Sequence, residues 1–255
     1  MTMEKPSSLR AILFDIDGTL LDTVDLIVRA LDYTYQKHLG IALPRDEIRR
    51  LIGLPLKVQM RYLDDRIAGN APHELMEADE VAYYKAHRDL ERAVTEAVAA
   101  VRAAYSKGYA VGLVTSKNRE ELSLSLPKLA IDDSVDVIVT ADDTERHKPA
   151  PDPVLKALER LQVAPAQAIY IGDTVFDLTC GRAAGVQVGA VAWGAHLPED
   201  LRAAQPDYYF ETPADLQNWV EQLPVIKNHA KAKEEDFRDR DRAERVGTGA
   251  GDHSA

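Results

Sequence analysis

The sequence predicts an α/β fold: a doubly wound, Rossmann-like parallel sheet with an all-helical segment inserted after its first strand. Short runs of Val, Ile, Leu and Ala recur along the chain, and near-continuous apolar runs are typical of strands covered on both faces. Helical patterns separate most of these runs, which favours repeated strand, helix, strand units. Residues 21–92, between the first two runs, carry helical patterns and are predicted to contain no strand.

Five apolar runs are predicted to be strands, and the run DYYF at 207–210 to be a short additional strand. Two of the intervening helices carry clear end signals, because TEAVAAVRAAYSKG stops at Gly108 and APDPVLKALERLQV begins with prolines. The five predicted strands are AILFDI (11–16), AVGLVTS (110–116), VDVIVTA (135–141), AIYIGD (168–173) and GAVAWG (189–194).

The segment 21–92 is too long for a single crossover, which needs only about a dozen residues. We therefore expect a helical cap at 21–92, seated over the carboxyl ends of the strands of a core formed by 1–20 and 93–226. Residues 227–255 hold mixed charge and glycines, which predicts a disordered charged tail. The cap patterns are DTVDLIVRALDYTYQKHLG, PRDEIRRLIG, PLKVQMRYLDDRIAG and HELMEADEVAYYKAHRDLERA.

Composition excludes several classes of protein. A net charge of −11 over 255 residues argues against a nucleic-acid-binding surface and, more weakly, against a membrane-binding one. A single cysteine, Cys180, excludes an internal disulfide framework, fits a reducing compartment and is expected to be a small core residue. No apolar run approaches the ~20 residues of a membrane span, and the first residues have no leader-like apolar stretch. These observations predict a cytoplasmic protein.

Polar residues interrupt the apolar runs where the predicted strands end. In an open α/β sheet, ligands bind outside the carboxyl ends of the strands at a topological switch point. We therefore expect these polar side chains to meet at one edge of the sheet. They are Asp15 and Asp17 after the first run, Thr115 and Ser116 after the second, Lys148 after VDVIVTA, and Asp173 and Asp177 after AIYIGD.

These residue types fit phosphoryl transfer through a carboxylate nucleophile. Asp15 is predicted to attack phosphorus and form an aspartyl phosphate, and Asp17 to act as general acid and then as general base. The Thr115 hydroxyl and the Ser116 N–H are predicted to hold non-bridging oxygens, and Lys148 to neutralise charge on Asp15 and the phosphoryl group.

The two aspartates at 15 and 17 need a cation, a shared proton or a reaction, since like charges at that spacing repel. Asp15 and Asp173, with Asp177 as a further candidate, offer the hard oxygen ligands that Mg²⁺ prefers. The sequence therefore predicts a magnesium site at the same edge of the sheet.

Four segments stand in the order and spacing of the motifs of the haloacid dehalogenase superfamily: FDIDGTLLDT, VGLVTSKN, HKPAPDP and IGDTVFDLTCGRAAGV. The second aspartate and the DGT triplet resemble its phosphatase branch. The helical insertion resembles the subfamily with a small helical cap, which includes phosphoglycolate phosphatases and a related pyrophosphatase. The resemblance covers residues 10–222.

The resemblance implies a Mg²⁺-dependent phosphatase for a small phosphorylated metabolite, phosphoglycolate or pyrophosphate first. The implied catalytic residues are Asp15 as nucleophile, Asp17 as acid and base, Thr115 as phosphate ligand and Lys148 as electrostatic clamp. The implied Mg²⁺ ligands are Asp15, the Asp17 carbonyl and Asp173, with Asp177 binding through water or orienting Lys148. Gly18, Thr19, Ser116 and Lys148 are the expected substrate contacts in the core.

Cap residues carry a weaker signal. The segment RRLIGLPLKVQMRY holds four cations around a predicted turn, and one or two of them could face an anionic leaving group. Most charges at helical spacing simply face water. The four are Arg49, Arg50, Lys57 and Arg61, of which Arg50 and Lys57 are the predicted substrate contacts.

Other functions remain open at this point. A sugar-phosphate phosphomutase has the same core, although residues 21–92 show no sugar-specific pattern. A phosphoacceptor signalling protein also uses aspartate, threonine and lysine, but its acceptor aspartate follows a later strand and no cap intervenes. A catalytically inactive binding protein would be expected to lack at least one required residue, and none is missing. A homodimer formed through an apolar face of the cap is a further expectation.

Overall fold

The computed structural model describes residues 8–67 and 71–226 of the chain. Within these ranges no helix combines the length and the apolar character needed to cross a lipid bilayer. The tail predicted at 227–255 lies outside the described residues.

Six of the described strands form one parallel sheet, which confirms the predicted fold class. The strands are β1 (Ala11–Phe14), β2 (Leu21–Asp22), β3 (Arg92–Ala93), β4 (Ala110–Val114), β5 (Val137–Val139), β6 (Ala168–Gly172), β7 (Gln187–Val191) and β8 (Tyr208–Phe210). The order in the sheet is β5-β4-β1-β6-β7-β8. All the predicted strands are present, each within a few residues of its expected bounds.

Helices cover both faces of this sheet and fill the segment between β2 and β3. They are α1 (Val24–Leu39), α2 (Arg45–Arg49), α3 (Leu56–Met60), α4 (His73–Ala86), α5 (Thr95–Ser106), α6 (Arg119–Ser125), α7 (Asp152–Leu161), α8 (Val175–Ala183), α9 (Pro198–Ala203) and α10 (Pro213–Glu221).

The core divides between the two faces of the sheet because successive side chains of a strand point in opposite directions. Ile12 and Phe14 of β1 join the apolar cluster that contains residues of α5 and α10. Ala11 and Leu13, one residue out of step, join the cluster on the other face with α7 and α8. Cys180 lies in this second cluster and is fully buried, as expected for a small core residue.

The cap has an apolar cluster of its own, which explains why an insertion of short helices is stable. The cluster joins α1 to the shorter helices and includes Leu31, Ile48, Met60 and Met76. The Tyr35 hydroxyl of α1 donates a hydrogen bond to a carbonyl of α3 at 2.7 Å. The predicted helical insertion is confirmed, and its limits at 21 and 92 stay predictions.

Two features of the segment 21–92 differ from expectation. The prediction of no strand was wrong, because β2 and β3 pair antiparallel at the two ends of the segment. Each has two residues, and about 70 residues separate them, so no local periodicity marks either strand. The helix predicted from PLKVQMRYLDDRIAG is also shorter than expected, since α3 ends at Met60.

Candidate active site

The carboxyl ends of β1, β4 and β6 bring the polar residues of the motifs to one edge of the sheet. Chain connections leave β1 towards β4 and leave β6 towards β7, so the strand order reverses between the neighbours β1 and β6. Asp15 follows β1, Asp173 follows β6 and Thr115 follows β4. The site therefore occupies the switch point where an open α/β sheet forms its ligand crevice.

Lys148 joins two of the carboxylates. Its ammonium lies 2.7 Å from Asp15 Oδ1 and 2.7 Å from Asp177 Oδ1, and all three side chains are buried. Burial alone would lower the pKa of Lys148, but the two carboxylates outweigh it and raise the pKa. Lys148 is therefore a permanent cation beside Asp15.

Asp177 has a structural role as well as its contact with Lys148. It is the third residue of α8, where its Oδ2 accepts the N–H and the hydroxyl of Thr174 at 3.0 and 2.6 Å in a capping box. Its Oδ1 also accepts the Tyr170 hydroxyl at 2.8 Å. Burial opposes ionisation, yet Lys148 and these donors lower the pKa of Asp177. The resemblance implies that Asp177 either binds Mg²⁺ through water or orients Lys148. These hydrogen bonds correspond to the second role.

Asp173 is held by backbone and side-chain donors from two loops. Its Oδ1 accepts the Thr19 hydroxyl at 3.2 Å, and its Oδ2 accepts the Ala195 N–H at 2.6 Å. Two glycines allow the close approach, because a Cβ added at Gly18 or Gly194 would lie 2.1 or 2.2 Å from atoms of Asp173. Gly18 also has φ +74°, a conformation that favours glycine.

Three carboxylates form a cluster that fits a divalent cation. Oxygens of Asp15, Asp173 and Asp177 lie within 4.8 Å of one another, and the three residues are buried. Burial and the neighbouring carboxylates, opposed by Lys148, raise the pKa of Asp15 to about 7 and raise that of Asp173 well above its usual value. Mg²⁺ prefers hard oxygen ligands, and its charge would neutralise the unfavourable buried negative charge of these carboxylates. The donor set therefore fits the predicted ion.

The raised pKa values of Asp15 and Asp173 predict a pH-dependent response to magnesium. Between pH about 4 and 7 the folded protein binds more protons at Asp15 than the unfolded chain, so its stability without metal falls as pH rises. Binding of Mg²⁺ requires the ionised carboxylates and releases these protons. We expect saturating Mg²⁺ to raise the melting temperature more at pH 8 than at pH 5.5, as measured by calorimetry. An equal increase at both pH values would contradict this prediction.

Asp17 lies above the cluster, at the boundary between core and cap. Its Oδ1 accepts the Thr23 hydroxyl at 2.8 Å, and its Oδ2 lies 3.0 Å from the ammonium of Lys117. The Lys117 ammonium also lies 4.8 Å from the centre of the Tyr84 ring of α4. Burial would lower the pKa of Lys117, but Asp17 and its other neighbours raise it, so the cation persists.

The predicted phosphate ligands lie at the end of β4. Thr115 is buried, and its hydroxyl oxygen accepts the Lys117 N–H at 3.2 Å. The Ser116 hydroxyl donates to the Gly53 carbonyl of the cap at 2.7 Å, which leaves its backbone N–H as the predicted phosphate donor. Their roles in binding phosphate stay predictions.

A cavity of about 80 Å³ separates the cap from this edge of the core. A cavity of this size suits a small leaving group. Core polar residues, including Asp15, Asp17 and Lys117, form one wall. The cap wall is mostly apolar, with the polar residues Gln59, Glu80, Tyr84 and Lys85 set among Ile27, Ile52, Leu54, Leu56 and Val81.

The two cap cations predicted to contact substrate lie elsewhere. Arg50 is largely exposed and lies 3.7 Å from Asp200, and Lys57 is exposed on α3. Neither lines the cavity above Asp15. Arg49, the residue next to Arg50, instead donates to the carbonyls of Ala195 and Gly194 at 2.8 and 3.0 Å. These bonds tie the cap to the loop that holds Asp173, so we interpret this cation as a structural link.

Sequence reasoning missed four charged residues of the cavity: Lys117, Glu80, Lys85 and Glu121. Lys117 follows the predicted phosphate ligands directly in VTSKN, so its position in the motif was a usable signal. Glu80 gave no such signal, because α4 also carries Glu74, Glu77 and Asp79, and the pattern does not show which acid faces inward.

Comparison with known proteins identifies the family. A family model described as haloacid dehalogenase-like hydrolase matches residues 12–191 of the chain. The chain belongs to this family of hydrolases. The match extends from β1 to β7 and therefore includes the motif residues from Asp15 to Asp177.

Two relatives and one solved structure illustrate the similarity. A protein named "Putative pyrophosphatase PpaX" from Caldanaerobacter subterraneus is 37% identical over 79% of this chain and 90% of its own. Pyrophosphatase PpaX from Bacillus cereus is 31% identical over 86% of this chain and 97% of its own. A crystal structure described as a predicted phosphoglycolate phosphatase from Haemophilus somnus has a TM-score of 0.74 at 18% identity, covering 84% of this chain and 99% of its own, and supports the fold alone.

These findings confirm the resemblance inferred from the four sequence motifs. The family match and the relatives named pyrophosphatase agree with the motifs, and the solved structure agrees with the predicted fold. The substrate of this chain is a separate question.

Proposed function

We propose that this hydrolase is a Mg²⁺-dependent phosphatase that cleaves a small phosphorylated metabolite through an aspartyl phosphate on Asp15. The observation that carries the proposal is the buried contact of Asp15 with Lys148 at 2.7 Å, beside two further carboxylates and below Asp17. One oxygen of Asp15 is anchored by Lys148. Its other oxygen has no hydrogen-bond partner among residues 8–67 and 71–226, which suits a nucleophile.

In the first step a carboxylate oxygen of Asp15 attacks phosphorus, and the bond from phosphorus to the leaving oxygen breaks. Asp17 gives its proton to that oxygen, so the leaving group departs in its protonated form. Lys148 balances the negative charge on Asp15 and on the phosphoryl oxygens, while Thr115 and the Ser116 N–H hold the non-bridging oxygens.

In the second step a water molecule attacks the phosphorus of the aspartyl phosphate. Asp17, now ionised, accepts a proton from this water, and the bond between phosphorus and the Asp15 oxygen breaks. Inorganic phosphate is released and both aspartates return to their starting states.

Magnesium would be held by Asp15, the Asp17 carbonyl and Asp173, and when bound it supplies positive charge against the phosphoryl oxygens. The chain itself provides for this ion by burying three carboxylates within 4.8 Å and by fixing Asp173 with the Thr19 hydroxyl and the Ala195 N–H.

The position of Lys117 supports a substrate whose leaving group is itself anionic. The ammonium lies 3.0 Å from Oδ2 of Asp17, the residue that we propose delivers the proton to the leaving oxygen. A cation at this point attracts a second negative group near the cleaved bond. Pyrophosphate and phosphoglycolate both carry such a group, and PpaX relatives are named for the first of them.

The test is phosphate release with Mg²⁺ from pyrophosphate, phosphoglycolate, sugar phosphates and nucleotides. We expect kcat/KM of at least ~10⁴ M⁻¹s⁻¹ for pyrophosphate or phosphoglycolate, the lower range of ordinary enzymes, and at least about 10-fold less for the others. A sugar phosphate as the best substrate would contradict the inference from Lys117. Absence of release from every compound, with acetyl phosphate still labelling the protein, would favour a phosphoacceptor or a mutase instead.

A further inference from the structure

The cap contributes one buried carboxyl group that has no partner. Glu80 lies on α4 with only 6% of its surface exposed, and it lines the cavity above Asp15. Within the described ranges 8–67 and 71–226, its carboxyl group makes no hydrogen bond and no ion pair. Burial of an unpaired polar group is unfavourable, so such a group calls for an explanation.

The other polar cap residues of the cavity are already engaged. The Gln59 amide donates to the Leu54 carbonyl at 2.8 Å, and the Tyr84 hydroxyl donates to Glu91 at 2.8 Å. The Lys85 ammonium lies 2.9 Å from Glu120. Among the described polar cap residues that line the cavity, Glu80 is thus the side chain without a hydrogen bond or ion pair.

Glu80 lies on the inward face of its helix. Met76 and Glu80 are the buried residues of α4, one turn apart on the same face. That face packs into the cap and towards the core, where Lys117 and Glu121 line the same cavity.

The charge state of Glu80 fits a hydrogen-bond donor. Burial, together with the nearby carboxylates of Glu121 and Asp17, raises the pKa of Glu80 to about 8 despite the opposing effect of Lys117. A carboxyl group that keeps its proton at pH 7 can donate to an oxyanion, whereas an ionised one would repel it.

From this cavity we infer that Glu80 is a specificity-determining residue, whose carboxyl group donates a hydrogen bond to an anionic oxygen of the leaving group. The leaving group would then lie between Lys117 on the core wall and Glu80 on the cap wall. The oxygen belongs to the second phosphate of pyrophosphate or to the carboxylate of phosphoglycolate. This inference rests on the proposed phosphatase function and names the cap residue that selects its substrate.

The experiment compares Glu80→Gln, which keeps a neutral donor, with Glu80→Leu, which removes the donor at similar size. Both are assayed at pH 7 with Mg²⁺ on pyrophosphate, on phosphoglycolate and on p-nitrophenyl phosphate, whose leaving group has no second anionic group beside the ester. We expect Glu80→Leu to raise KM about 10- to 100-fold for the preferred anionic substrate, as for loss of a buried hydrogen bond to a charge. The KM of Glu80→Gln should stay within about 3-fold of that of the unmodified protein. All three proteins should turn over p-nitrophenyl phosphate equally.

The outcomes separate the two proposals. No phosphate release by the unmodified protein would overturn the phosphatase function itself. Release that Glu80→Leu leaves unchanged for both anionic substrates would overturn only the inference about Glu80. An equal loss of activity of Glu80→Leu on p-nitrophenyl phosphate would also overturn this inference, because such a loss would indicate a structural effect of the substitution. Glu80→Ala, with the same expectations, replaces Glu80→Leu if thermal unfolding shows that the Leu variant is not folded.

Discussion

Asp15→Asn is expected to abolish phosphate release, with kcat lowered by at least about 10⁴-fold, because an amide is a poor nucleophile towards phosphorus. The variant should fold, since Asn can still accept the hydrogen bond from Lys148 and one negative charge leaves a crowded buried cluster. Steady-state phosphate release and a thermal unfolding curve measure the two effects.

Asp132→Asn is the matched control for this variant. It makes the same chemical change at an exposed loop residue that does not line the cavity above Asp15. It should leave kcat unchanged. Activity of Asp15→Asn above about 1% of that of the control would contradict the role of Asp15 as nucleophile.

Asp17→Asn is expected to separate the two chemical steps. Loss of the general acid and base should lower kcat by about 10²- to 10⁴-fold. With acetyl phosphate, whose leaving group needs no proton, attack by Asp15 should still occur while hydrolysis of the aspartyl phosphate becomes slow. We therefore expect a phosphorylated protein to accumulate, which a rapid-quench assay with labelled substrate detects.

The double variant Asp15→Asn, Asp17→Asn is the control for this second experiment, and it should take up no label. Failure of the single Asp17→Asn variant to accumulate label, while its steady-state rate falls, would contradict a base role in the second step. Equal rates for Asp17→Asn and the unmodified protein would contradict both of its roles.

The core of the fold could be predicted because its signals are local. Strands buried on both faces read as continuous apolar runs, and five of the six in the parallel sheet were found this way. The edge that carries Asp15, Thr115, Lys148 and Asp173 followed from one rule, that ligands gather beyond the carboxyl ends of the strands.

The short pair of strands at the base of the cap could not be found in the same way. Leu21–Asp22 and Arg92–Ala93 are too short to show a period, and their pairing is a long-range contact. Only the folded cap brings them together. Two residues are too few to show the alternation of apolar and polar side chains from which a strand is predicted.

The direction of the cap cations could not be predicted for a related reason. Sequence reasoning chose Arg50 and Lys57 because cations suit an anionic substrate, but the structure turns both towards solvent. Among the charged residues that line the cavity, Glu80 and Lys85 lie on α4, and their direction depends on how α4 packs against the other cap helices. The sequence specifies which residues are charged, whereas packing determines where a charged side chain on a short helix points.

The most direct test of the account is chemical trapping of the aspartyl phosphate. The protein is quenched during turnover with Mg²⁺ and its best substrate, then reduced with borohydride, which converts an aspartyl phosphate to homoserine. We predict that peptide mass spectrometry finds homoserine at position 15, absent without substrate and absent from Asp15→Asn. Rapid phosphate release with an unmodified Asp15, or with homoserine at another aspartate, would contradict the central claim.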